Sequence, residues 1–338
     1  MKFLIIQTAF IGDVVLATPL IEKLKQCYPD SEIDFLLRKG NEGLLTDHPL
    51  LRQVMIFDKK KGKYKNLFSL INAIRGEKYD YVINLQRFFA SGMLTALSGA
   101  KRTIGFDKNP LSFLFSESFP HHISATGTEH EVSRNLSLIT KLTDASFVRP
   151  RLYPSESDFK KIIPAGPYVC IAPASVWFTK QWPAEKWVEL IEPLSENFSI
   201  YLMGGKSDVD LCTHIKWSVI NRVPRLLAAQ ESTIHIIAGQ LSFLESAALM
   251  KNARMNFVND SAPLHFASAM NAPVAAMFCS TVPAFGFGPL SDESFVFETS
   301  ENLDCRPCGL HGYKSCPKGH FKCANIDIEQ VLSNVSTR

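Results

Sequence analysis

One stretch of the sequence, residues 255–277, restricts the fold more than any other part of the chain. It predicts a short buried strand ending at Asn259, a polar turn, an amphipathic helix with Pro263 near its start, and a second apolar strand. A strand, a helix and a strand in that order form a βαβ unit, whose strands run parallel. The turn of Asp260 and Ser261 then brings the free N–H groups of a helix N-terminus to the carboxyl end of a strand, where open α/β sheets bind phosphate. An ordinary βαβ corner with Ser261 as its N-cap would produce the same pattern.

Strands alternate with helices along the whole chain, which predicts an α/β fold with mostly parallel, doubly wound sheets. The strands predicted in the first half are residues 2–8, 33–37, 53–57, 81–85 and 103–106, and the helices are 14–28, 67–75, 90–97 and 131–142. The strands predicted in the second half are residues 168–172, 199–203, 234–237, 255–258 and 274–278.

A stretch with four prolines, residues 144–167, separates the two halves and is the predicted linker. The chain has 338 residues, which exceeds one typical domain and fits two of about 150 residues each. We therefore predict two Rossmann-like domains, residues 1–150 and 151–338, that face each other across a cleft. In such folds the ligands bind at the carboxyl ends of the strands that border the cleft.

Composition and charge exclude several classes of protein. A hydrophobic content of 46% with 20% charged residues is typical of a soluble globular protein. No apolar run approaches the roughly 18 residues of a transmembrane helix, and the N-terminus lacks the pattern of a signal peptide, so we expect a cytoplasmic protein. A net charge of +3 is too small to indicate nucleic-acid binding. The basic run at residues 59–65 is either a solvated loop or a patch attracted to an anionic membrane surface, to which each lysine adds about 1 kcal/mol.

Two further turns in the second half have the character of phosphate sites. Lys180 lies in the loop between a predicted strand and a helix, where an ammonium group can meet a phosphate. Gly204 and Gly205 follow the next strand and allow the backbone to approach a ligand closely. Lys180 could equally be an exposed loop lysine. Together with the turn after Asn259, however, these turns place three phosphate-binding features at strand ends of one domain.

In the first half, Gly12 and Asp13 follow the first predicted strand directly. Gly12 supplies backbone freedom at a tight turn. Asp13 places a carboxylate at the expected mouth of the cleft, where it can act as a base. Asp is also common as a helix cap at this position, and the two roles are compatible.

Four cysteines are concentrated near the C-terminus: Cys305, Cys308, Cys316 and Cys323. A Cys-x-x-Cys pair followed by two more cysteines can form a tetrahedral structural zinc site, with His311 and His320 as alternative ligands. The spacing of six residues between the second pair is wider than usual, so free thiols are the alternative. Disulfides are disfavoured in a reducing cytosol.

The spacing of these motifs resembles that of the bacterial glycosyltransferase family 9, the ADP-heptose:lipopolysaccharide heptosyltransferases. The similarity covers nearly the whole chain and includes Gly12-Asp13, Thr18-Pro19, Ser91, Ile104-Gly105-Phe106, the loop 175–183 with Lys180-Gln181-Trp182-Pro183, Gly204-Gly205, Ala238-Gly239, Leu244-Glu245, Asn259-Asp260-Ser261, His265 and Phe287-Gly288-Pro289. It implies the GT-B architecture, with the first domain on the acceptor side and the second binding the nucleotide sugar. It also implies inverting transfer of a heptose from ADP-heptose to the lipopolysaccharide inner core, with peripheral contact with the inner membrane at its cytoplasmic face.

The implied mechanism assigns two catalytic residues. Asp13 takes the proton of the acceptor hydroxyl, a role that typically contributes about 10²–10⁴-fold. Lys180 and helix N-termini stabilise the departing nucleoside diphosphate, so the chemistry requires no cofactor. The donor-binding residues expected from the resemblance are Ser175, Thr179, Gly204, Gly205, Glu245, Asp260, Ser261 and His265. Among them, Asp260 is expected to accept hydrogen bonds from sugar hydroxyls, and Glu245 to contact the ribose or the base.

The sequence departs from the family pattern in the donor half. Ala262 and Pro263 follow Ser261 where the family usually has glycine, and Ala174 also replaces a glycine. Another nucleotide sugar is therefore an alternative donor. A nucleotide-sugar epimerase of similar architecture and a binding or scaffold protein are the alternatives from other classes. A dehydrogenase is disfavoured because no Gly-x-Gly-x-x-Gly motif follows the first strand.

Overall fold

The computed structural model of the protein describes residues 1–59, 63–223 and 233–336. The centre of the basic run, residues 60–62, lies outside the described residues, and so do the side chains of residues 63 and 64. None of the described helices is both long and apolar enough to cross a membrane.

The chain folds into two compact units. Unit 1 comprises Met1–Ile123 and Glu129–Tyr153, and unit 2 comprises Ser124–Thr128 and Pro154–Arg338. How the two units divide the reaction between them stays a prediction.

Unit 1 contains a six-stranded parallel sheet in the order β3-β2-β1-β4-β5-β6. Its strands are β1 (Lys2–Ile6), β2 (Glu32–Arg38), β3 (Gln53–Phe57), β4 (Tyr81–Asn84), β5 (Arg102–Phe106) and β6 (Glu117–Phe119). Its helices are α1 (Ile11–Val15), α2 (Thr18–Cys27), α3 (Lys63–Glu77), α4 (Phe89–Ala96) and α5 (Glu131–Ser137). β1 is central and fully buried from Phe3 to Ile6. Such a continuous apolar run is typical of a parallel strand that is covered on both faces.

Unit 2 contains a second six-stranded parallel sheet in the order β12-β11-β10-β7-β8-β9. Its strands are β7 (Tyr168–Ala172), β8 (Ser199–Leu202), β9 (Ile234–Ile236), β10 (Asn256–Asn259), β11 (Val274–Phe278) and β12 (Ser294–Glu298). Its helices are α6 (Glu156–Phe159), α7 (Ala184–Leu194), α8 (Val209–Arg222), α9 (Phe243–Lys251), α10 (Ala262–Met270) and α11 (Ile328–Ser336). The βαβ unit predicted for residues 255–277 is confirmed as β10, α10 and β11.

The core of unit 2 is built around two buried tryptophans. The rings of Trp182 and Trp187 pack edge to face with centroids 4.9 Å apart. The indole N–H of Trp182 donates to the carbonyl of Ala324 (3.0 Å), which ties the C-terminal part of the chain to this core. The N–H group of a buried tryptophan usually has such a partner.

Some predicted elements differ from those observed. The single helix predicted over residues 14–28 is two helices, α1 and α2, because Pro19 has no N–H to donate to Val15. The Thr18 hydroxyl donates to that carbonyl instead (2.8 Å), and the chain restarts with Pro19 in the first turn of α2. The helix predicted over residues 131–142 ends at Ser137. The sheet-edge strands β6 and β12 were not predicted.

Candidate active site

Two loops meet at the carboxyl edge of the sheet in unit 2, because β7 and β10 are neighbours and run in the same direction. The buried side chain of Asn259 holds both ends of the loop that follows β7. Its Oδ1 accepts from the N–H of Trp182 (2.9 Å), and its Nδ2 donates to the carbonyl of Pro173 (2.8 Å). One buried amide therefore fixes the loop 173–182, which carries Lys180.

Lys180 and Asp260 form a close ion pair between these two loops. The distance from Lys180 Nζ to Asp260 Oδ2 is 2.6 Å, and their side chains are only 14% and 7% exposed. The hydroxyl of Thr281, which follows β11, donates to the same carboxylate oxygen (2.5 Å). Lys180 is therefore not an exposed loop lysine: its ammonium group is held in a fixed place at the edge of the sheet.

The N-terminus of α10 adjoins this ion pair. Ser261 occupies the N-cap position, but its hydroxyl donates to the carbonyl of Asn259 (3.4 Å) and, within the described chain, makes no capping bond to the helix backbone. The interpretation of Ser261 as a simple cap is therefore wrong. His265 lies one turn further along α10 and is buried. Its contact with a donor stays a prediction.

Gly204 and Gly205 form an exposed turn after β8, closed by Asp208. The Asp208 carboxylate accepts from the N–H of Gly205 (2.8 Å). A Cβ atom at Gly204 would lie 2.8 Å from that of Asp208, so the turn requires glycine there. The N–H of Gly239, a residue with φ of +74°, donates to the carbonyl of Gly204 (2.8 Å). Binding of a phosphate by this turn stays a prediction, and it would compete with Asp208 for the Gly205 N–H.

Glu245 has a structural role that our sequence analysis missed. Its carboxylate accepts from the N–H of Ser242 (2.6 Å), and the Ser242 hydroxyl accepts from the N–H of Glu245 (3.1 Å). This is a capping box at the start of α9, and the Ser-x-x-Glu spacing was the available signal. Lys161 lies 3.4 Å from the same carboxylate. The predicted contact of Glu245 with a ribose or base stays a prediction.

Ser175 and Thr179 lie in the same loop as Lys180. Ser175 is half-buried. Its carbonyl accepts from Gln181 Nε2 (2.6 Å), and this hydrogen bond links two positions of the loop. Thr179 is buried, and its hydroxyl accepts from the N–H of Tyr313 (2.8 Å). The structure thus brings Ser175, Thr179, Lys180, Asp260 and Ser261 to one edge of one sheet. The contacts of Ser175, Lys180, Asp260 and Ser261 with a donor stay predictions, whereas the hydroxyl of the buried Thr179 is already hydrogen-bonded within the protein.

Arg306 supports this edge, and no sequence motif indicated it. Its guanidinium donates to the carbonyls of Cys279 (2.6 Å), Phe278 (3.0 Å) and Thr281 (2.7 Å), and it is paired with Glu298. These carbonyls belong to the end of β11 and the turn after it. Arg306 therefore fixes the turn from which Thr281 reaches Asp260.

Asp13 in unit 1 lies in the first turn of α1. Its Oδ2 accepts from the N–H of Phe10 (3.1 Å), so the predicted capping role is observed. Burial raises the pKa of Asp13 to about 6, the negative charge of Glu131 adds to that rise, and the Phe10 N–H and the positive charge of Arg38 oppose it. A carboxylate with a pKa close to neutral is well matched to general base catalysis.

A chain of amide side chains joins the strand ends of unit 1. Gln86 is hydrogen-bonded through its side chain to Gln7, which follows β1. Asn109 Nδ2 donates to the carbonyls of Gln86 (2.7 Å) and Phe88 (3.1 Å). The segments after β1, β4 and β5 are therefore held together at the carboxyl edge of this sheet.

The same segments carry exposed apolar side chains, which our sequence analysis missed. We call them the aromatic surface: Phe10, Phe88, Phe89, Phe113 and Leu114, all more than half exposed. Two arginines lie on it: the guanidinium of Arg38 is 4.9 Å from the ring centre of Phe10, and that of Arg87 is 5.6 Å from the ring centre of Phe88. Exposed apolar side chains on neighbouring segments are candidates for a binding surface.

The four C-terminal cysteines form no disulfide bonds in the structure. Cys305 Sγ lies 3.8 Å from His320 Nε2, and Cys308 Sγ lies 3.3 Å from the carbonyl of Cys305. Across the described ranges, no group of three or more His, Cys, Asp or Glu side chains is arranged to hold a metal ion. A structural zinc site at these cysteines stays a prediction.

Comparison with known proteins gives a consistent result. Residues 67–312 match the model of glycosyltransferase family 9 (heptosyltransferase). Lipopolysaccharide heptosyltransferase 3 of Escherichia coli is 30% identical over 302 residues, covering 85% of this chain and 86% of that protein. Lipopolysaccharide heptosyltransferase 1 of Pseudomonas aeruginosa is 24% identical over 330 residues, covering 91% and 86%. The structure of ADP-heptose lps heptosyltransferase II from E. coli has a TM-score of 0.78 at 20% identity, with 99% of this chain and 97% of that chain covered.

The two parallel six-stranded sheets with flanking helices confirm the predicted α/β fold of the GT-B class. A site with a fixed lysine beside a helix N-terminus suits a nucleotide-sugar transferase of that class. The chain belongs to glycosyltransferase family 9 and is a glycosyltransferase. The epimerase alternative is not favoured, because the family match covers most of the chain.

Proposed function

We propose that this enzyme transfers a heptose from ADP-heptose to the inner core of lipopolysaccharide with inversion of the anomeric carbon. The observation that carries the proposal is the Lys180–Asp260 pair at 2.6 Å, at a strand-end edge beside the N-terminus of α10. A cation and helix N–H groups at one point suit a diphosphate. The choice of heptose as the sugar and lipopolysaccharide as the acceptor follows the names of the similar proteins.

The reaction needs a base and a stabilised leaving group. Asp13 removes the proton of the acceptor hydroxyl as that oxygen attacks the anomeric carbon. The bond from that carbon to the ADP oxygen breaks, and Lys180 stabilises the charge that develops on the diphosphate. Asp260 holds the ammonium group and accepts from a sugar hydroxyl. No metal or cofactor takes part in these steps.

Unit 2 is the nucleotide-sugar side in this proposal, and unit 1 is the acceptor side. Unit 2 carries Lys180, Asp260 and Ser261. Unit 1 carries Asp13 and the aromatic surface. A lipid-linked anionic acceptor has both acyl chains and phosphates, and exposed phenylalanines beside arginines suit that combination.

The aromatic surface also supports peripheral contact with the cytoplasmic face of the inner membrane. Aromatic side chains bury well in the interfacial region of a bilayer, and neighbouring arginines attract anionic lipid. The most exposed member, Phe113, is 77% exposed. In this proposal the aromatic surface and the basic run at residues 59–65 both contact the membrane.

A structural zinc ion held by Cys305, Cys308, Cys316 and Cys323 is a separate part of the proposal. Burial opposes ionisation of Cys316, but hydrogen bonds from the backbone N–H groups of residues 318–321 lower the pKa of this thiol. Thiolates that accept backbone N–H bonds are suited to metal binding, because the ligand must be deprotonated. The ion would stabilise the segment and take no part in the chemistry.

Transfer assays with purified protein test the function. The assay offers ADP-heptose or another ADP- or UDP-sugar, with heptose-deficient lipopolysaccharide, with lipid A, or with no acceptor. We expect a product only with ADP-heptose and an inner-core acceptor, and mass spectrometry of lipopolysaccharide from a strain lacking the protein should show the loss of one heptose. Turnover of the nucleotide sugar without any acceptor would contradict the proposal, and transfer from a different sugar would contradict the donor.

A further inference from the structure

The cysteine-rich segment, residues 305–323, packs directly on the loop that carries Lys180. The contact is made by Thr179, the residue before the lysine. The N–H of Thr179 donates to the carbonyl of Tyr313 (3.1 Å), and the N–H of Tyr313 donates to the Thr179 hydroxyl (2.8 Å). One backbone–backbone bond and one backbone–side-chain bond thus join two distant segments at the position next to the catalytic lysine.

The Thr179 hydroxyl has no capacity left for a ligand. It accepts from the N–H of Tyr313 and from the hydroxyl of Ser280 (3.0 Å), and it lies 3.3 Å from the carbonyl of Tyr313, to which it donates. A hydroxyl has one donor and two acceptor sites, and all three are used. Since Thr179 is also 1% exposed, it cannot contact a donor sugar without breaking these bonds.

Gly312 brings the segment still closer to the lysine. A Cβ atom at this residue would lie 2.8 Å from the Thr179 hydroxyl, 3.0 Å from Lys180 Cγ and 3.1 Å from the Ser280 hydroxyl. Its φ of +75° also favours glycine. The backbone at Gly312 therefore lies against the aliphatic stem of Lys180.

The segment is itself anchored at its other end. The N–H of Cys308 donates to the carbonyl of Ser280 (2.8 Å), and Arg306 holds the carbonyls at the end of β11. Residues 306–313 are therefore fixed to β11 at one end and to the Lys180 loop at the other. A contact of this kind limits the positions that the ammonium group can adopt.

We propose that Thr179, with Gly312 and Tyr313 of the cysteine-rich segment, is a positioning element for Lys180. Thr179 acts through the lysine and does not touch the donor. This inference rests on the proposed function in one respect: it takes Lys180 to be the group that stabilises the leaving diphosphate. It also gives the cysteine-rich segment a part in catalysis that does not depend on a metal.

A double-mutant cycle tests the proposal. Thr179→Val keeps the shape of the side chain and removes its hydrogen bonds, and we expect it to lower kcat about tenfold in the otherwise unchanged enzyme. On a Lys180→Ala background the same change should lower kcat by less than about twofold, because the group that it positions is gone. Thr179→Ser, which restores the hydroxyl, should recover most of kcat. Ser280→Ala, which removes one of the same bonds from the other side, should behave as Thr179→Val does.

Ser268→Ala is the matched control. Ser268 is a buried serine whose hydroxyl accepts from the N–H of Leu290 (3.0 Å), a bond of the same kind at a different place. It should lower thermal stability about as much as Thr179→Val and leave kcat unchanged. Equal losses of kcat from Thr179→Val with and without Lys180, or an equal loss from Ser268→Ala, would overturn the positioning role. Absence of transfer by the unchanged enzyme would count against the proposed function only, because the same cycle measured on ADP affinity by calorimetry still tests the positioning.

Discussion

The ammonium nitrogen of Lys180 lies 2.6 Å from a carboxylate oxygen of Asp260, although the two residues follow different strands. The lysine therefore has a counter-ion before any donor binds. A preorganised cation costs no reorganisation when charge develops on the leaving group, which is the condition for strong electrostatic stabilisation. The pair joins the two loops of the donor site that we propose for unit 2.

We expect Lys180→Ala to lower kcat more than it weakens the binding of ADP or donor. The charge on the diphosphate grows as the glycosidic bond breaks, so the lysine interacts more strongly in the transition state than in the ground state. The expected loss is about 2–4 kcal/mol of transition-state stabilisation. Steady-state kinetics beside calorimetry of donor binding measures both effects. Lys186→Ala, which removes a lysine paired with Glu189 on α7, is the control. Near-normal values of both parameters for Lys180→Ala would show that backbone groups alone hold the diphosphate.

Replacement of Asp13 by Asn should reduce kcat by about a hundredfold or more while donor binding persists, because the loss falls on proton transfer. Asp158→Asn is the control for a purely capping role, since Asp158 also caps a helix, by accepting from the N–H of Ser155 (2.7 Å). Loss of a cap lowers stability by about 0.5–2 kcal/mol without affecting turnover. If Asp13→Asn only destabilises the protein, as Asp158→Asn is expected to do, the base lies elsewhere.

The activity should fall at acid pH because Asp13 becomes protonated and can no longer accept a proton. The pKa of Asp13 is raised to about 6, so kcat/KM should decrease as the pH drops below about 6. Arg38→Gln removes a positive charge that lowers this pKa, so the midpoint should move to higher pH. Glu131→Gln removes a negative charge that raises it, so the midpoint should move to lower pH. Arg38→Lys keeps the charge and should leave the midpoint in place.

The same ionisation affects the free energy of unfolding, and the raised pKa fixes the direction of the effect. The folded protein binds the Asp13 proton more tightly than the unfolded chain, in which the pKa of this carboxyl group is 3.8. The contribution of this group to folding is therefore complete below pH 3.8 and is lost as the pH rises through about 6. Asp13→Asn should remove this part of the pH dependence of unfolding. A midpoint of activity that moves in the same direction in Arg38→Gln and Glu131→Gln would contradict Asp13 as the titrating group.

Protein purified without chelator should contain about one zinc ion per chain if the four cysteines bind metal. Structural zinc contributes folding energy, so chelation should then lower the thermal midpoint of unit 2. Cys316→Ser should lose the metal, whereas Cys27→Ser, a change in unit 1, should retain it. A metal-free preparation with an unchanged thermal midpoint would leave the four residues as free thiols.

The aromatic surface should bind lipid. Phe113→Ser and Phe88→Ser should each weaken co-sedimentation with anionic phospholipid vesicles by about tenfold, since burial of a phenylalanine contributes about 1.5–3 kcal/mol. Trp217→Ser on α8, a change of another exposed aromatic residue that is 54% exposed, is the control and should have no effect. Equal weakening by all three changes would show that the binding does not involve this surface. Neutral vesicles test the contribution of the arginines.

The sequence predicted those parts of the fold that depend on local patterns. β3, β7 and β11 were predicted with their observed bounds, because their apolar runs are bordered by turn residues. β6 and β12 were not predicted: β6 has only three residues, none of them buried, and Phe297 is the one buried residue of β12. The break between α1 and α2 was marked by Pro19, but the apolar pattern on both sides of it appeared continuous.

The candidate site was predicted less completely, because its contacts depend on strand order. The sequence indicated Lys180 and Asp260 as separate features of two turns. Their pairing requires β7 to lie beside β10, and local patterns do not contain that information. The contact of Thr179 with Tyr313 joins still more distant segments. By contrast, the capping box of Ser242 and Glu245 could have been predicted from the Ser-x-x-Glu spacing alone.

The two hydrogen bonds of Asn259 have a consequence for how the protein is made. On the ribosome, β7, β8 and β9 emerge first, and they leave one edge of β7 without a neighbour until β10 arrives. The loop that carries Lys180 lacks its anchor until Asn259 has been synthesised, and Thr179 lacks its partner until Tyr313 follows. Nascent chains that stop before these residues should therefore fail to retain ADP, even when the first half of the sheet has formed. If unit 2 binds the nucleotide as proposed, this binding comes late in biosynthesis and reports that unit 2 has folded as far as Tyr313.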